Sequence, residues 1–73
     1  MKLPQKYLNK TIYVEVQMRS WTARYKIQIS RIDDDGFEGK FKIYNEGEWN
    51  KHISMGRWSH YNLISHRISR TPL

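Results

Sequence analysis

The chain has 73 residues and no cysteine, and this absence removes two ways of stabilising a small domain. Neither a disulfide nor a thiolate zinc site can supplement its core. A chain of this length forms one domain and buries a modest fraction of its surface, so the core must be compact. The lack of cysteine also favours a reducing, cytoplasmic setting over secretion.

Long apolar runs are also missing. No segment approaches the roughly 20 apolar residues that a membrane helix needs. Residues 1–10 contain no stretch typical of a signal peptide. The sequence therefore predicts no membrane partner.

Acidic residues are in the minority. Seven Asp and Glu stand against 13 Lys and Arg, which gives a net charge of +6 and a pI near 9.8. A small domain commonly carries a net charge of about 2–8, so this excess is compatible with a simple role in solubility. It also suits attraction to phosphate or to another acidic surface. The placement of the cations is more informative than their number.

Apolar residues alternate with polar ones over short segments, which predicts an all-β domain of five strands. Residues 11–19 and 24–32 form the first two strands, and the third follows the turn signal at Asp33 to Gly36 and continues to Tyr44. Weaker patterns place the fourth strand over 49–55 and the fifth over 63–69. Residues 1–10 are expected to be an N-terminal extension with one helical turn over 5–9, and 70–73 a tail. The barrel domain then spans residues 11–69.

The second and third strands are predicted to form a hairpin. A three-residue loop, 34–36, would hold Gly36 in the left-handed conformation. The alternation slips before Ile32, which predicts a β-bulge near Ser30 or Arg31. In this register the opposed pairs are Ile27 and Ile43, Ile29 and Phe41, Lys26 and Tyr44, Gln28 and Lys42, and Ser30 and Lys40. The predicted core is Val14, Val16, Ile27, Ile29, Phe41, Ile43, Ile53 and Trp58.

Five short strands with a sharply bent second strand predict a small barrel. The pattern resembles the SH3-like and Sm-like β-barrels. The resemblance is carried by the strand over 12–18, the bent strand over 25–32, the Asp-Asp-Gly turn, and the aromatic turn over 58–61 before the last strand. The Asn-containing loop and Arg-Gly dipeptide of the Sm family have no match, so ring assembly and uridine binding do not carry over. The resemblance implies a module that binds RNA, DNA or protein.

A ladder of cations lies on the outward face of the predicted hairpin. Like charges opposite each other cost stability, so their accumulation suggests an anionic partner; the alternative is a sheet face that is merely solvated. Cations on a sheet contact phosphates without reading sequence, and a neighbouring aromatic ring can stack on an unpaired base. The residues predicted to bind nucleic acid are Arg24, Lys26, Gln28, Lys40, Lys42, Tyr44, Trp49, Arg57, Arg67 and Arg70.

The remaining aromatic, imidazole and acidic side chains support no other site. At least one of Trp21 and Trp49 is expected to be exposed, which suits base stacking or a protein contact. The three histidines match no zinc motif, and we assign His60 and His66 to the basic surface. The run of three aspartates is ordinary turn chemistry. No nucleophile or phosphate-loop motif is present, so we expect neither an enzyme, nor a metal, nor a cofactor.

The sequence thus predicts a non-enzymatic module that binds single-stranded RNA or DNA. Single strands are favoured over duplexes because no recognition helix is available to enter a major groove. The alternative is an adaptor or inhibitor, such as a phage or plasmid accessory protein, that docks on an acidic surface of a host protein. A homo-oligomer formed by strand addition is also compatible with the pattern.

Overall fold

The computed structural model describes residues 2–45, 48–49 and 51–68, with side chains at 2–43 and 51–68. The fold is all-β, as predicted. Two 3₁₀ turns, Gln5–Tyr7 and His60–Asn62, precede the first and last strands. The strands are β1 (Thr11–Gln17), β2 (Thr22–Ile32), β3 (Gly36–Asn45), β4 (Glu48–Trp49), β5 (Ser54–Ser59) and β6 (Leu63–Arg67).

All strand pairings are antiparallel, and β2 lies at the centre of the sheet. The strand order is β4-β3-β2-β1-β6, and β5 also pairs with β3. Among the described residues no pairing joins β5 to β6, so the sheet is not closed into a barrel. Closure therefore stays a prediction, whereas the antiparallel all-β sheet is established.

The β2–β3 register differs from the predicted one by two residues. Lys26 lies opposite Lys42, Ile27 opposite Phe41, and Gln28 opposite Lys40. The register shifts between Ile29 and Arg31, which confirms the predicted bulge at this point. A displacement of two residues leaves every side chain on its own face, because faces alternate with a period of two. The opposed residues therefore differ from the predicted pairs, but the cations and the apolar residues still lie on opposite faces of the sheet.

The turn itself explains the different register. The Asp33 N–H donates to the Gly36 carbonyl at 2.9 Å. The Asp33 carboxylate accepts from the N–H groups of Asp35 and Gly36 at 2.9 and 3.0 Å. These bonds close a loop of two residues, one fewer than predicted, and the bulge displaces the register by one more. Gly36 opens β3 and its φ is not in the left-handed region, so the conformation predicted for it is wrong.

The core lies on the inner face of the sheet. Val14, Val16, Ile27 and Ile29 are buried as predicted, and Phe41 and Trp58 pack against them half-buried. Ile43 and Ile53 were wrongly assigned to the core, since 36% and 62% of their surfaces are exposed. Ile53 lies before β5 and outside any strand, so its spacing from Trp49 carried no information about faces. Seven residues of the buried core cluster were absent from the predicted core: Leu3, Tyr7, Ile12, Ala23, Tyr25, Phe37 and Leu63.

The predicted fourth strand is divided. Its start forms the two-residue β4 and its end falls in β5, which continues to Ser59 through a region that had been predicted to be irregular. The residues before β1 also differ from a simple extension, because Leu3 and Tyr7 are buried in the core cluster.

Candidate nucleic-acid interface

Cations from three strands share the outer face of the sheet, opposite the core. Their side chains lie at strand positions that alternate with buried residues, which turns them away from the core. Among the predicted site residues, Gln28 lies on the same face and is exposed. We call this surface the cationic face; its cations are Arg24, Lys26, Lys40, Lys42 and Arg67.

Lys26 and Lys42 are directly opposite each other on neighbouring strands. Side chains in this position have Cβ atoms about 4.5–5.5 Å apart, so the two ammonium groups repel. Among the described side chains, no salt bridge joins a carboxylate to Lys26, Lys40 or Lys42. The sheet therefore keeps three lysines together without internal acidic partners in that part of the chain.

A row of outward residues continues from this pair across β1 to β6. Tyr13 lies opposite Lys26 on one side and opposite Arg67 on the other. With strands about 4.8 Å apart, the row from Lys42 to Arg67 covers about 14 Å. The Lys26 ammonium is 5.9 Å from the centroid of the Tyr13 ring, and the ring is almost fully buried beneath its neighbours. Tyr13 is thus a residue of this face that sequence reasoning missed, although its spacing placed it opposite the core.

Arg24 is at the same face but is partly neutralised. Its Nε lies 3.5 Å from a carboxylate oxygen of Glu15. The other oxygen of Glu15 accepts a hydrogen bond from the Ser65 hydroxyl at 2.7 Å. Both contacts connect residues that the strand register places side by side. Arg24 therefore contributes less to the potential of the face than the lysines do.

Two shallow grooves adjoin each other on the cationic face. Their volumes are about 150 Å³ and about 190 Å³. The first is lined by Lys26, Gln28, Lys40, Lys42 and Ile53, among others. The second is lined by Asn9, Gln28, Ile29, Ser30, Lys40 and Met55. Gln28 and Lys40 line both grooves, so the two lie side by side.

Arg57 lies in a different environment from the one predicted. Its guanidinium contacts both carboxylate oxygens of Asp33, at 2.7 and 2.9 Å, and Glu38 at 3.4 Å. The Arg31 guanidinium approaches the same two acids at 3.6 and 3.8 Å. The hydrogen bond from Arg57 holds the pKa of Asp33 well below its usual range, with help from the N–H of Gly36. Asp33 in turn raises the pKa of Arg57. This arrangement gives no support to the prediction that Arg57 extends the basic surface.

Three further predicted residues cannot be placed at the site. The backbone of Tyr44 pairs with that of Trp49 between β3 and β4, but their side chains lie outside the described set. Arg70 lies outside the described residues altogether. Trp21 is exposed over 55% of its surface, so the expectation of one exposed tryptophan is confirmed.

The histidines are not the surface groups that were predicted. His60 is buried; its Nδ1 accepts from the Leu3 N–H at 3.1 Å, so the proton is on Nε2, which donates to the Asp33 carbonyl at 2.7 Å. His66 packs edge-on against Tyr7 at 5.1 Å between ring centroids. Burial lowers the pKa of His66, and the nearby Lys6 lowers it further. Both rings hold the N-terminal segment to the sheet.

The part of the chain that the structure describes contains neither a candidate metal site nor a membrane-spanning helix. No group of three or more His, Asp or Glu is placed to hold a metal ion there. No helix in those ranges is long and apolar enough to span a bilayer.

Comparisons with protein-family models, with curated protein sequences and with solved structures give no match to this chain. The cationic face is therefore the feature of the described structure that bears on function.

Proposed function

We propose that this protein is a non-enzymatic module that binds single-stranded nucleic acid through its cationic face. The observation that carries the proposal is the direct opposition of Lys26 and Lys42, with Lys40 two residues along the same strand. Like charges opposed on a sheet are unfavourable by a few tenths of a kcal/mol up to about 1 kcal/mol. A polyanion that lies across the strands reverses this repulsion and releases its own counterions.

The shape of the face favours a single strand over a duplex. The described residues contain only three-residue helical turns, so no helix among them can enter a major groove. The grooves are shallow and run over an open sheet, which suits a flexible backbone tracked by cations. Arg67 extends the positive row toward β6, and Tyr44 and Trp49 keep their proposed role in stacking.

The test is an anisotropy titration of fluorescent 12-mers of single-stranded RNA and DNA at several salt concentrations. Four phosphate contacts predict a slope of about −3 for log K against log salt, at about 0.7 per contact. The double variant Lys26→Glu/Lys42→Glu should lose binding, because two attractions become repulsions. Its fold should survive, since both side chains point away from the core.

A matched control separates the effect of the cationic face on binding from the effect of net charge. Lys2→Glu/Arg19→Glu changes the net charge by the same amount at exposed residues outside the sheet. This control should bind nearly as well as the wild type at moderate salt, because distant exposed charges are screened beyond about 10 Å at 0.1 M. Equal losses in both double variants, or no binding by the wild type at low salt, would disprove the proposal.

A second candidate function is supported by one exposed apolar side chain at each groove, Ile53 at the first and Met55 at the second. Ile53 and Met55 are exposed over 62% and 61% of their surfaces, and both lie beside the lysines. Exposed apolar side chains next to cations suit an acidic protein surface. Under this proposal the protein is an adaptor or inhibitor, and the Lys26→Glu/Lys42→Glu variant loses a protein partner from a pull-down that contains no nucleic acid.

We also propose that the fold is a variant of the small SH3-like and Sm-like barrels, acting in the cytoplasm. Three observations support this relationship: β2 carries a bulge and pairs on both sides, a 3₁₀ turn connects β5 to β6, and β6 returns to pair with β1.

A further inference from the structure

The second groove carries side chains that do more than attract phosphate. Two of its lining residues, Asn9 and Gln28, are carboxamides, and Ser30 adds a hydroxyl. A carboxamide offers two donors and an acceptor in one plane, which matches the donor and acceptor pattern on the edge of a nucleobase. Lysines alone attract any polyanion, so these groups add a means of telling one base from another.

Asn9 is fixed by its backbone. Its φ is 65°, in the left-handed region that Asn adopts more readily than most residues. Its N–H donates to the Ile29 carbonyl at 2.9 Å, and the Lys10 carbonyl accepts from the Ile29 N–H at 2.9 Å. The chain therefore leaves the β1–β2 ladder at a defined point beside the groove, which limits where the amide can lie.

Ser30 reaches the same groove because of the bulge in β2. It is the extra residue between Ile29 and Arg31. Its hydroxyl donates to the Glu38 carbonyl at 3.3 Å, so its oxygen remains free to accept. Met55, exposed on the neighbouring β5, supplies a polarisable thioether of the kind that contacts aromatic rings.

We infer that the second groove holds one unpaired base of the bound strand, whose edge is read by Asn9 and Gln28 while Met55 contacts its face. This inference rests on the proposed function. The groove of about 190 Å³ is equivalent to about six waters at about 30 Å³ each, which suits one heterocyclic ring. Lys40 lines both grooves, so a phosphate held in the first lies beside the base in the second.

The experiment compares 12-mers of A, of C and of T with an abasic 12-mer that has the same number of phosphates. The variant is Asn9→Gly/Gln28→Leu. Glycine keeps the left-handed backbone while removing the amide, and leucine keeps most of the bulk of glutamine on an exposed face. Stacking differences among the free oligonucleotides are the same for both proteins, so the ratio of their affinities isolates the groove.

The wild type should prefer one of the three bases over the others by about tenfold, the discrimination that one well-placed pair of hydrogen bonds supplies. The variant should lose that preference and keep its salt slope, because neither substitution removes a charge. A wild type that binds the three bases equally, or a variant that keeps the full preference, overturns the inference while the proposed function stands. Absence of binding to every 12-mer, the abasic one included, overturns both.

Discussion

Lys26 and Lys42 face each other across β2 and β3, and no described carboxylate is paired with either. The pair is held together by the backbone ladder and by the buried Ile27 and half-buried Phe41 that alternate with it on the other face. Stability of the isolated domain and the proposed binding of an anion therefore make opposite demands on these two positions.

The first prediction follows from this opposition. Lys42→Glu replaces a repulsive pair by an attractive one and should raise the free energy of unfolding by about 0.2–1 kcal/mol. Urea unfolding at low ionic strength measures it, and the gain should shrink as salt is added. Arg19→Glu, an exposed turn residue, makes the same change in net charge and should give a smaller effect. A destabilised Lys42→Glu protein would show that repulsion at this pair is negligible.

The second prediction concerns Gly36 and the close approach of β3 to β5. A Cβ atom at this position would overlap the carbonyl oxygen of Trp58. Gly36→Ala should therefore lower the free energy of unfolding by about 1–3 kcal/mol, the usual cost of forcing atoms into a packed site. Gly36→Asn should be at least as damaging. If Asn were tolerated much better than Ala in thermal unfolding, a left-handed conformation would be the reason for glycine instead.

The third prediction concerns pH and the Asp33–Arg57 pair. The folded pKa of Asp33 lies below its unfolded value of about 3.9. Its contribution to stability is therefore present above that value and is lost as the pH falls toward the folded pKa. Asp33→Asn keeps a side-chain oxygen for the turn but removes the charge. It should be less stable than the wild type at pH 7, with a difference that narrows below about pH 4 in urea unfolding. If the difference in the free energy of unfolding between the two proteins stayed constant down to pH 2, this dependence of stability on the ionisation of Asp33 would be contradicted.

The fourth prediction concerns His60, which joins the N-terminal segment to the β2–β3 turn. His60→Leu leaves the Leu3 N–H and the Asp33 carbonyl without their partner. Loss of such bonds in a buried setting costs about 1–3 kcal/mol. His60→Gln retains a donor and an acceptor and should cost less. Chemical unfolding measures the stability, and hydrogen exchange at Leu3 shows whether the N-terminal segment has detached. Equal effects of the two substitutions would mean that packing, and not hydrogen bonding, sets the role of His60.

Sequence and structure agree on the two faces of the β2–β3 hairpin but not on its register. Alternation placed Lys26, Lys40 and Lys42 on one face, and the structure keeps them there. Their partners were predicted wrongly, because the loop is closed by the Asp33 carboxylate and the bulge removes a further residue from the register. Two registers that differ by two residues place the same side chains on the same faces, so a period-two pattern does not indicate which of them forms.

The residues of the candidate site also divide into those that the sequence predicts and those that it does not. The lysines and Gln28 could be predicted because an exposed strand face repeats locally in the sequence. The second groove could not, since Asn9, Ser30 and Met55 come from three separate segments that only strand pairing brings together. The ion pairs of Arg57 could not be predicted for a related reason, because its acidic partners Asp33 and Glu38 are distant from it in sequence.

The sequence by itself determined the strand-forming segments of β1, β2 and β3, the inward and outward faces of β1 and β2, and the excess of positive charge. These are local properties, set by alternation and composition along the chain. Only the tertiary structure decided that Lys26 meets Lys42, that His60 is buried under the N-terminal segment, and that Ile53 is exposed. Each of these depends on contacts between segments that are far apart in the chain. The same alternating pattern permits several strand registers, and turn geometry and close backbone packing select one of them.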